Sequence, residues 1–455
     1  MIMDKLYVGF ARTNINPMMG IPVWGYFIPR NAEGILDDLE INAVALKKGD
    51  GCAIMFSVDL LYVDTYICNK CRKLIAEKLG ISEEGVFIHA THTHTGPYLD
   101  PKGFKDENEK QLVSEYQTFF IHRIIDVAEA AFADLKPAKM GYAVGRAENI
   151  AFIRRFVMKD GSVKTNPGVN NPDIVRPVGI LDESVNVVRF DREGVDSIAV
   201  VNFADHPDVV GGSKISADWP GFARRTVEKV LDDVKCVVFN GAQGDVNHVN
   251  VHPTGGYLND MFMDFDDVAR GYGHSRYMGR VIAGALLQVW DKVEYVDVDS
   301  VKYAQQTLNV PSNMPKAEDM PEAHRINELH KAGKDEEIPY TGMMLTTVVA
   351  EAGRMVRLEH GPEFFPMIFS ALSVGNVAFF GIPGEPFNGI GVGVKESEGW
   401  DLIVPCCCVN GTEGYFPMKD AYEQGGYEAR SSNFKAGVAE LIIDQGKKML
   451  AELKA

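Results

Sequence analysis

The stretch VFIHATHTHTGP, residues 86–97, decides how this chain is interpreted. The apolar residues 86–88 predict the end of a buried strand, and His89, His92 and His94 follow at once. On extended backbone, residues two apart lie on the same face, so the rings of His92 and His94 should lie together while His89 faces away as a structural residue. Two imidazoles so close indicate a shared metal ion, or one ligand beside an acid–base group. The alternative is a polar strand end with hydrogen-bonded histidines.

Short apolar runs alternate with amphipathic segments along the chain, which is typical of an α/β protein. We predict strands at residues 43–47, 52–58, 86–90, 197–203, 236–239, 377–380 and 402–408. We predict helices at residues 65–79, 109–133, 219–231, 274–289 and 433–453. The expected fold class is therefore α/β, with layered sheets flanked by helices. In such folds the loops at the carboxyl ends of the strands converge to form a site.

The whole chain, residues 1–455, is predicted to form a single catalytic domain. The sequence contains no internal repeat, and no linker rich in Gly, Ser or Pro separates the polar turns. One stretch differs in composition, because residues 315–338 are dense in charged side chains. That composition favours a solvated helical excursion inserted in the domain.

Two further strand ends carry side chains that bind metals. His206 follows the run 197–203, but a single histidine before a proline is more often a core residue. Glu385 is the stronger candidate, because the turn GIPGEP at residues 381–386 presents one carboxylate directly after a buried strand. An unpaired carboxylate there would be costly, so a cation or a basic partner is expected. Two histidines, a carboxylate and an open coordination position would form a catalytic zinc (Zn²⁺) site for metal-assisted hydrolysis.

The composition restricts the partners of this chain. Its formal net charge of −17 argues against nucleic acid and anionic membranes, which need a basic patch. We expect a small-molecule substrate, and a homo-oligomer stays open. The chain does not begin with a signal-peptide pattern, and no apolar run approaches the roughly 20 residues of a membrane-spanning helix, so we expect a cytoplasmic protein. Its seven cysteines, three of them adjacent at residues 406–408, are expected to be reduced thiols.

Several short motifs occur together in this chain. They are ATHTHTGP (90–97), FADHP (203–207), GDV (244–246), IPGE (382–385) and GY (414–415), with Tyr427 further on. GFAR (9–12), NP (16–17) and GY (25–26) precede them. In sequence, order and rough separation, these motifs resemble the neutral ceramidase family, zinc amidohydrolases that release a fatty acid from sphingosine. The resemblance extends over nearly the whole chain.

The resemblance implies a set of metal ligands and catalytic groups. The zinc ligands of the family fall on His92, His206, Glu385 and Tyr415. A histidine beside the metal falls on His94, and a tyrosine that pairs with it falls on Tyr427. Arg154 fits an arginine that orients the scissile carbonyl, although Arg155 takes that place if the register shifts by one. The implied reaction is attack by zinc-bound water on an acyl carbon, with an oxyanion stabilised by Arg154 and Tyr427 and proton transfer assisted by His94.

Two departures from the family shape the expected substrate. The family continues Gly-Asp-Val into a catalytic serine, but here Asn247 and His248 follow. Asn247 cannot be a nucleophile, although it can donate a hydrogen bond, and we predict that both residues bind substrate. The family also carries a C-terminal β domain, which we do not expect here. We therefore predict a zinc-dependent hydrolase that cleaves the amide (N-acyl) bond of a small polar substrate, such as an N-acyl amine or an N-acyl sugar.

Three alternatives stay open at this point. The same site could hydrolyse an ester or a lactone, whose leaving group needs less help from a proton donor than an amine does. The chain could be a zinc-binding pseudoenzyme without turnover. It could also be a structural protein that uses the histidine-rich turn only for stability.

Overall fold

The computed structural model describes residues 5–254, 262–263 and 269–454. The strands, in chain order, are β1 (Leu6–Asn14), β2 (Pro22–Val23), β3 (Arg30–Asn31), β4 (Gly34–Ile35), β5 (Glu40–Lys48), β6 (Gly51–Val58), β7 (Val86–Ala90), β8 (Lys136–Arg146), β9 (Phe152–Ile153), β10 (Arg155–Met158), β11 (Val163–Thr165), β12 (Ile174–Pro177), β13 (Ser184–Arg192), β14 (Ser197–Phe203), β15 (Lys214–Ile215), β16 (Val234–Asn240), β17 (Val246–Asn247), β18 (Phe262–Met263), β19 (Ala269–Arg270), β20 (Glu294–Val296), β21 (Val301–Pro311), β22 (Phe364–Val374), β23 (Val377–Gly381), β24 (Glu385–Pro386), β25 (Leu402–Cys406) and β26 (Tyr415–Phe416). The helices are α1 (Thr65–Leu79), α2 (Glu107–Ala133), α3 (Asp218–Val230), α4 (Tyr272–Val289), α5 (Met320–Lys331), α6 (Gly342–Leu358), α7 (Asn388–Lys395), α8 (Lys419–Gln424), α9 (Tyr427–Ser431) and α10 (Val438–Lys454).

The larger sheet has the strand order β16-β14-β13-β8-β1-β5-β6-β7, and β20 pairs with β8. Its central pairs are antiparallel, whereas β14–β16 at one edge and β6–β7 at the other are parallel. The sheet curves so strongly that its two edge strands, β16 and β7, touch. The contact is a hydrogen bond of 2.9 Å from the backbone N–H of Asn240, at the end of β16, to Nε2 of His89 in β7. The carboxyl ends of β7, β14 and β16 therefore lie together, although the first is at the opposite edge of the sheet.

A second sheet, with the order β21-β22-β23-β25, packs on the first. Its contact with the larger sheet is a shared apolar cluster that includes Phe87, Phe239, Phe379 and Val404. Backbone hydrogen bonds also join the two sheets: the N–H of Cys407 donates to the carbonyl of Asn240 at 3.1 Å, and that of Asn410 donates to Ile88 at 2.8 Å. The ends of β23 and β25 thus adjoin those of β7 and β16.

Helices cover the outer faces of both sheets. α1 and α2 share an apolar cluster with β5, β6 and β7, and α3 and α4 share one with β13, β14 and β16. On the second sheet, α7 and α10 contact strands through a third cluster. Apolar surface buried between these layers, at roughly 25 cal/mol per Å², is what stabilises the arrangement.

α5 and α6 form a helical hairpin inserted between β21 and β22 of the second sheet. The hairpin has a small apolar core of its own, which includes Met320, Ala323, Ile326, Val348 and Ala352. The predicted charged excursion, residues 315–338, contains α5. Helix α6 lies beyond this stretch. It was not recognised as part of the insertion, because its apolar composition resembles that of the surrounding strands.

The predicted strands and helices are confirmed, with small shifts at their ends. The elements Val86–Ala90, Ser197–Phe203 and Thr65–Leu79 agree residue for residue. The strand predicted at 402–408 already ends at Cys406, and Cys408 beyond it adopts a left-handed φ of 47°. The seven cysteines are free thiols. In the part of the chain that the structure describes, no helix is long and apolar enough to cross a membrane.

Candidate metal centre

Three histidines meet where the two sheets adjoin. His92 and His94 follow β7, and His206 follows β14. Their ring centroids lie 5.0 Å apart for residues 92 and 94, 5.1 Å for 92 and 206, and 5.8 Å for 94 and 206. One ring nitrogen from each lies within 4.8 Å of the others, so the three side chains could hold a metal ion. These three residues are called the histidine cluster below.

Glu385 and Tyr415 reach the histidine cluster from a separate two-stranded sheet, β24-β26, whose strands follow β23 and β25 of the second sheet along the chain. β24 pairs with β26 in parallel, which places Glu385 opposite Tyr415. Oε2 of Glu385 lies 3.2 Å from Nε2 of both His92 and His206, and the Tyr415 hydroxyl lies 3.4 Å from Nε2 of His206. The turn needs glycine before Glu385, because a Cβ on Gly384 would come within 2.6 Å of a backbone carbonyl oxygen. The four side chains predicted as ligands therefore lie together.

Backbone carbonyls fix the orientation of two of the rings. Nδ1 of His92 lies 2.9 Å from the carbonyl oxygen of Leu61, and Nδ1 of His206 lies 2.8 Å from that of Gln243. Because a carbonyl only accepts hydrogen bonds, Nδ1 carries a proton in each ring and Nε2 of the neutral ring presents a lone pair. Two lone pairs then face one carboxylate oxygen of Glu385. A cation between them, either a proton or a metal ion, is required to make this arrangement favourable.

The donor set agrees with zinc. Imidazole nitrogen and carboxylate oxygen are ordinary zinc ligands, and the hydrogen bond from each Nδ1–H to a carbonyl is the usual way a ligating ring is oriented. The phenol of Tyr415 adds a fourth donor, an oxygen, on the same side as His206. The residues present thus fit a zinc ion held by side chains that follow strands of both sheets.

The backbone at His92 differs from the extended conformation assumed in the sequence analysis. Strand β7 ends at Ala90, and His92 adopts a left-handed φ of 75°. The simple strand geometry for residues two apart is therefore wrong here, although the rings of His92 and His94 still meet at 80° to each other. Left-handed backbone is uncommon for a residue other than glycine and occurs where surrounding contacts enforce it. His89 lies outside the cluster, as predicted, and accepts its bond from Asn240.

Burial and mutual charge shift the pKa values of three candidate ligands. Burial alone would raise the pKa of Glu385, but the imidazoles of His92 and His206 outweigh it and hold that pKa well below its ordinary value. Burial lowers the pKa of His206, and the nearby charge of Arg154 lowers it further. Burial, followed by the charge of Glu385, raises the pKa of Tyr415 well above its ordinary value. The ionised carboxylate is the form of Glu385 that a divalent cation binds.

His94 differs from the other two histidines in its surroundings. Neither of its ring nitrogens has a hydrogen-bond partner among the described residues, and burial holds its pKa well below the ordinary value. The predicted pairing of His94 with Tyr427 is therefore not formed as a hydrogen bond, because the Tyr427 ring packs edge-on against Tyr415 instead, with centroids 5.6 Å apart. Gly25 passes directly over His94, and a Cβ at Gly25 would lie 2.8 Å or less from its side chain.

Arg154, and not Arg155, faces the cluster. Its Nε donates to Oε1 of the fully buried Glu428 at 2.6 Å, its Nη2 donates to the carbonyl of Gly244 at 2.7 Å, and its guanidinium lies 5.4 Å from the Tyr415 ring centre. Burial opposes the charge, but Tyr415 and Glu428 together raise the pKa of Arg154 well above its ordinary value. Arg155 instead donates to Gln424 and to a backbone carbonyl.

A cavity of about 290 Å³ opens beside the histidine cluster. Its polar side is lined by His94, Arg154, Thr165, Asn166, His206, Asp208, Tyr415 and Tyr427. Its other walls are residues 25–28 of the N-terminal loop and residues of the α5–α6 hairpin. The cavity is the space in which a reacting group could meet the cluster.

Asn247 and His248, predicted to bind substrate, lie one layer behind the described lining of this cavity. Asn247 is fully buried and donates from Nδ2 to the side-chain oxygen of Asn166, which does line the cavity, at 3.1 Å. Nδ1 of His248 lies 3.2 Å from Oδ1 of Asp208, which also lines it. Antiparallel pairing of β17 with β9 holds Asn247 opposite Phe152.

Two contacts at the site were not identified from the sequence. Glu428 accepts a hydrogen bond from Arg154. In the sequence, the only feature that could have pointed to Glu428 is its position directly after Tyr427. Sγ of Cys408 lies 3.6 Å from Nδ1 of His92 and also 3.6 Å from the carbonyl of Gly384, just before Glu385. Cys408 therefore contacts the segments that carry two candidate ligands. The sequence, with three adjacent cysteines, does not indicate which of the three makes this contact.

The fold and the site together describe an α/β protein of two packed sheets with a histidine cluster at their junction. No protein-family model matches this sequence, and no curated protein matches it. The crystal structure of the neutral ceramidase from Pseudomonas aeruginosa matches with a TM-score of 0.71 at 15% identity, over 99% of this chain and 74% of that chain. A ceramidase complexed with C2 matches with a TM-score of 0.73 at 16% identity, over 99% of this chain and 75% of the other. The chain thus has the fold of the neutral ceramidases, as its motifs indicated, and the predicted fold class is confirmed.

Proposed function

We propose that this chain is a zinc-dependent hydrolase that cleaves the amide bond of a small N-acyl substrate. The observation that carries the proposal is the convergence of Nε2 of His92 and Nε2 of His206 on one carboxylate oxygen of Glu385, each at 3.2 Å. Such a convergence in a buried site is explained by a shared cation. The ceramidase fold and the motif resemblance add an amide bond as the bond that is broken.

We assign the metal to His92, His206, Glu385 and Tyr415. The histidine cluster by itself would also allow His94 as the third ligand. We favour Glu385, because its Oε2 is in direct contact with two of the rings and an anionic ligand is needed to balance the ion's charge. When bound, Zn²⁺ lowers the pKa of a coordinated water to about 7 and polarises a carbonyl oxygen.

The remaining polar groups serve proton transfer and charge stabilisation. Neither ring nitrogen of His94 has a hydrogen-bond partner among the described residues, so the ring is available to accept a proton and deliver it to the departing amine. Arg154 is held by Glu428 with its guanidinium beside Tyr415, where it can donate to the oxygen of the scissile carbonyl. Tyr427 lines the same cavity and can donate a second hydrogen bond to that oxygen.

The polar part of the substrate lies against Asn166 and Asp208. We propose that Asn247 and His248 act through these residues, because each contacts one of them from behind. Hydroxyl or amine groups on the leaving side of the substrate are the natural partners of an amide and a carboxylate. This environment supports an N-acyl amine or an N-acyl sugar as the substrate class.

The proposal is tested by metal analysis combined with turnover. Purified protein should contain stoichiometric zinc by element-specific mass spectrometry. It should release amine from members of an N-acyl panel, lose that activity after dialysis against a chelator, and regain it when zinc is added back. Turnover that survives complete removal of metal would contradict the proposal.

Two other outcomes separate the alternatives. Zinc-dependent cleavage of esters or lactones with no amide cleavage would show that the leaving group was misidentified. Stoichiometric zinc without turnover on amides, esters or lactones would instead identify a pseudoenzyme, whose zinc contributes only to stability.

A further inference from the structure

The α5–α6 hairpin contributes one face of α6 to the cavity beside the histidine cluster. Gly342, Leu345, Thr346 and Val349, spaced i, i+3, i+4 and i+7, lie on one side of the helix and line the cavity, together with Met343. Such spacing places side chains on a single face. This set of five residues is called the ceiling below.

The ceiling differs in chemistry from the opposite side of the cavity, which carries the proposed metal ligands with Arg154 and Tyr427 and is called the metal-bearing side below. Leu345, Val349 and Met343 present hydrocarbon or thioether surface, and Phe27 and Ile28 from the N-terminal loop add to it. The two titratable side chains that the hairpin adds to the lining, His330 and Asp335, contact each other at 2.8 Å. Phe27 and Ile28 are 45% and 64% exposed, so the apolar lining ends at solvent. A substrate that bridges both sides needs a polar end and an apolar end.

Helix α6 is fixed to the body of the protein. Arg430 of α9 donates from Nε to Glu351 of α6 at 2.9 Å. Arg354 of α6 donates from Nε to the carbonyl of Arg430 at 3.0 Å and from Nη1 to that of Asn313 at 2.6 Å. Because α9 also carries Tyr427, the ceiling and the metal-bearing side are held at a set distance.

The space between them is small. A volume of about 290 Å³ is at the lower end of the roughly 300–1,000 Å³ typical of ligand pockets. The scissile amide and the polar end of the substrate must occupy part of it. What remains beneath α6 accommodates a short hydrocarbon chain, and any further carbons would have to leave past Phe27 and Ile28 into solvent.

We propose that the ceiling sets the length of the acyl chain, so that this enzyme acts on short-chain N-acyl derivatives of polar amines and not on long-chain fatty amides. The inference rests on the proposed function, because it assigns the acyl side of the same substrate. Each methylene that is buried against the ceiling raises kcat/KM roughly fourfold. Once the chain reaches the opening, further methylenes bury little surface and the increase stops.

The test compares acyl chains from acetyl to palmitoyl on one polar amine, with zinc-loaded parent and variants. Met343→Ala removes volume from the ceiling and should move the limit to longer chains. Thr346→Phe fills the cavity and should move the limit to shorter chains. Met344→Ala is the matched control, because the neighbouring Met344 is 40% exposed and its sulfur contacts Arg430 outside the described cavity lining.

A second readout does not depend on turnover. Calorimetric titration with straight-chain carboxylic acids, which are the acyl products, measures the same limit of acyl-chain length. The limit is the chain length at which affinity stops rising, called the break below. Met343→Ala and Thr346→Phe should shift that break in opposite directions, and Met344→Ala should leave it in place. An unchanged break in both ceiling variants would overturn the inference, whether or not amide hydrolysis is observed. Absence of turnover with a shifting break would overturn the proposed function alone.

Discussion

The histidine cluster and the ceiling lie on opposite sides of one cavity and are built in different ways. The rings of the cluster follow strands of a sheet packed on both faces, and backbone carbonyls orient two of them. The ceiling is one face of one helix, in an insertion with a small core of its own. The proposed chemistry thus lies in the most constrained part of the molecule, and the proposed selectivity lies in an insertion with a core of its own. Substitutions on one side should leave the function of the other side intact.

The largest expected effect comes from the carboxylate on the metal-bearing side. Glu385→Gln keeps the shape of the side chain but removes the negative charge that faces Nε2 of His92 and His206. We expect loss of bound zinc and a fall in turnover on the order of 10³-fold or more, about 4 kcal/mol of transition-state stabilisation. Metal content and initial rates on the same preparation measure both effects.

Glu413→Gln is the matched control for that substitution. Glu413 precedes Tyr415 in the same turn but accepts its hydrogen bond from Thr65. It should keep both zinc and activity. Normal zinc content in the Glu385 variant would show that Glu385 is not a ligand. The comparison between a metal site and the ceiling would then lose its main support.

The next effect is on stability and concerns Arg154. Arg154→Met removes the closer guanidinium from the buried carboxylate of Glu428 and leaves only that of Arg155, with Nε at 4.0 Å, so we expect a loss near the lower end of the about 3–5 kcal/mol typical of a broken buried pair. Chemical denaturation measures the loss. The double variant Arg154→Met/Glu428→Gln should recover a large part of it, because the uncompensated charge is then gone. Equal stabilities of the single and double variants would show that the pair is not coupled.

The sequence reveals the metal-bearing side far better than the ceiling, and the reason is physical. His92 and Glu385 were found because each follows an apolar strand in a polar turn, whereas His206 was a weak candidate by itself and was assigned through the family resemblance. Tyr415 was identified through the family resemblance alone, since nothing in a phenol after a glycine indicates a ligand. α6 has the composition of an ordinary core helix, and only its position over the cavity suggests a role in substrate selection.

Other parts of the site depend on distances that the sequence does not contain. The curvature that brings β7 against β16 joins residues 151 positions apart, as in the bond from Asn240 to His89. The strand-like spacing of His92 and His94 led to the right grouping for a wrong reason, because His92 is in the left-handed region. Asn247 and His248 were placed at the substrate from their position after Gly-Asp-Val, whereas they lie one layer behind the described lining of the cavity.

A smaller effect should separate hydrogen bonding from metal binding on the metal-bearing side. Tyr427→Phe removes one hydroxyl from the cavity and leaves the packing of its ring against Tyr415 intact. We expect turnover to fall about ten- to a hundredfold at normal zinc content, since Arg154 still donates to the same oxygen. Tyr422→Phe is the control, because the Tyr422 hydroxyl donates to a backbone carbonyl outside the described lining of the cavity. Full activity in the Tyr427 variant would refute its role.

The smallest expected effect comes from removing one methyl group from the apolar core on each side of the cavity. Ile326→Val trims the core of the hairpin, and Ile382→Val trims the core of the second sheet just before Glu385. Both should cost about 0.5–1.5 kcal/mol. Because the hairpin has its own core, Ile326→Val should speed hydrogen exchange in α5 and α6 alone and leave cleavage of an N-acetyl substrate unchanged. Ile382→Val should instead speed the release of zinc to a chelator. Exchange that rises equally throughout the protein in both variants would mean that the two sides form one cooperative unit, and the separation of chemistry from selectivity would not hold.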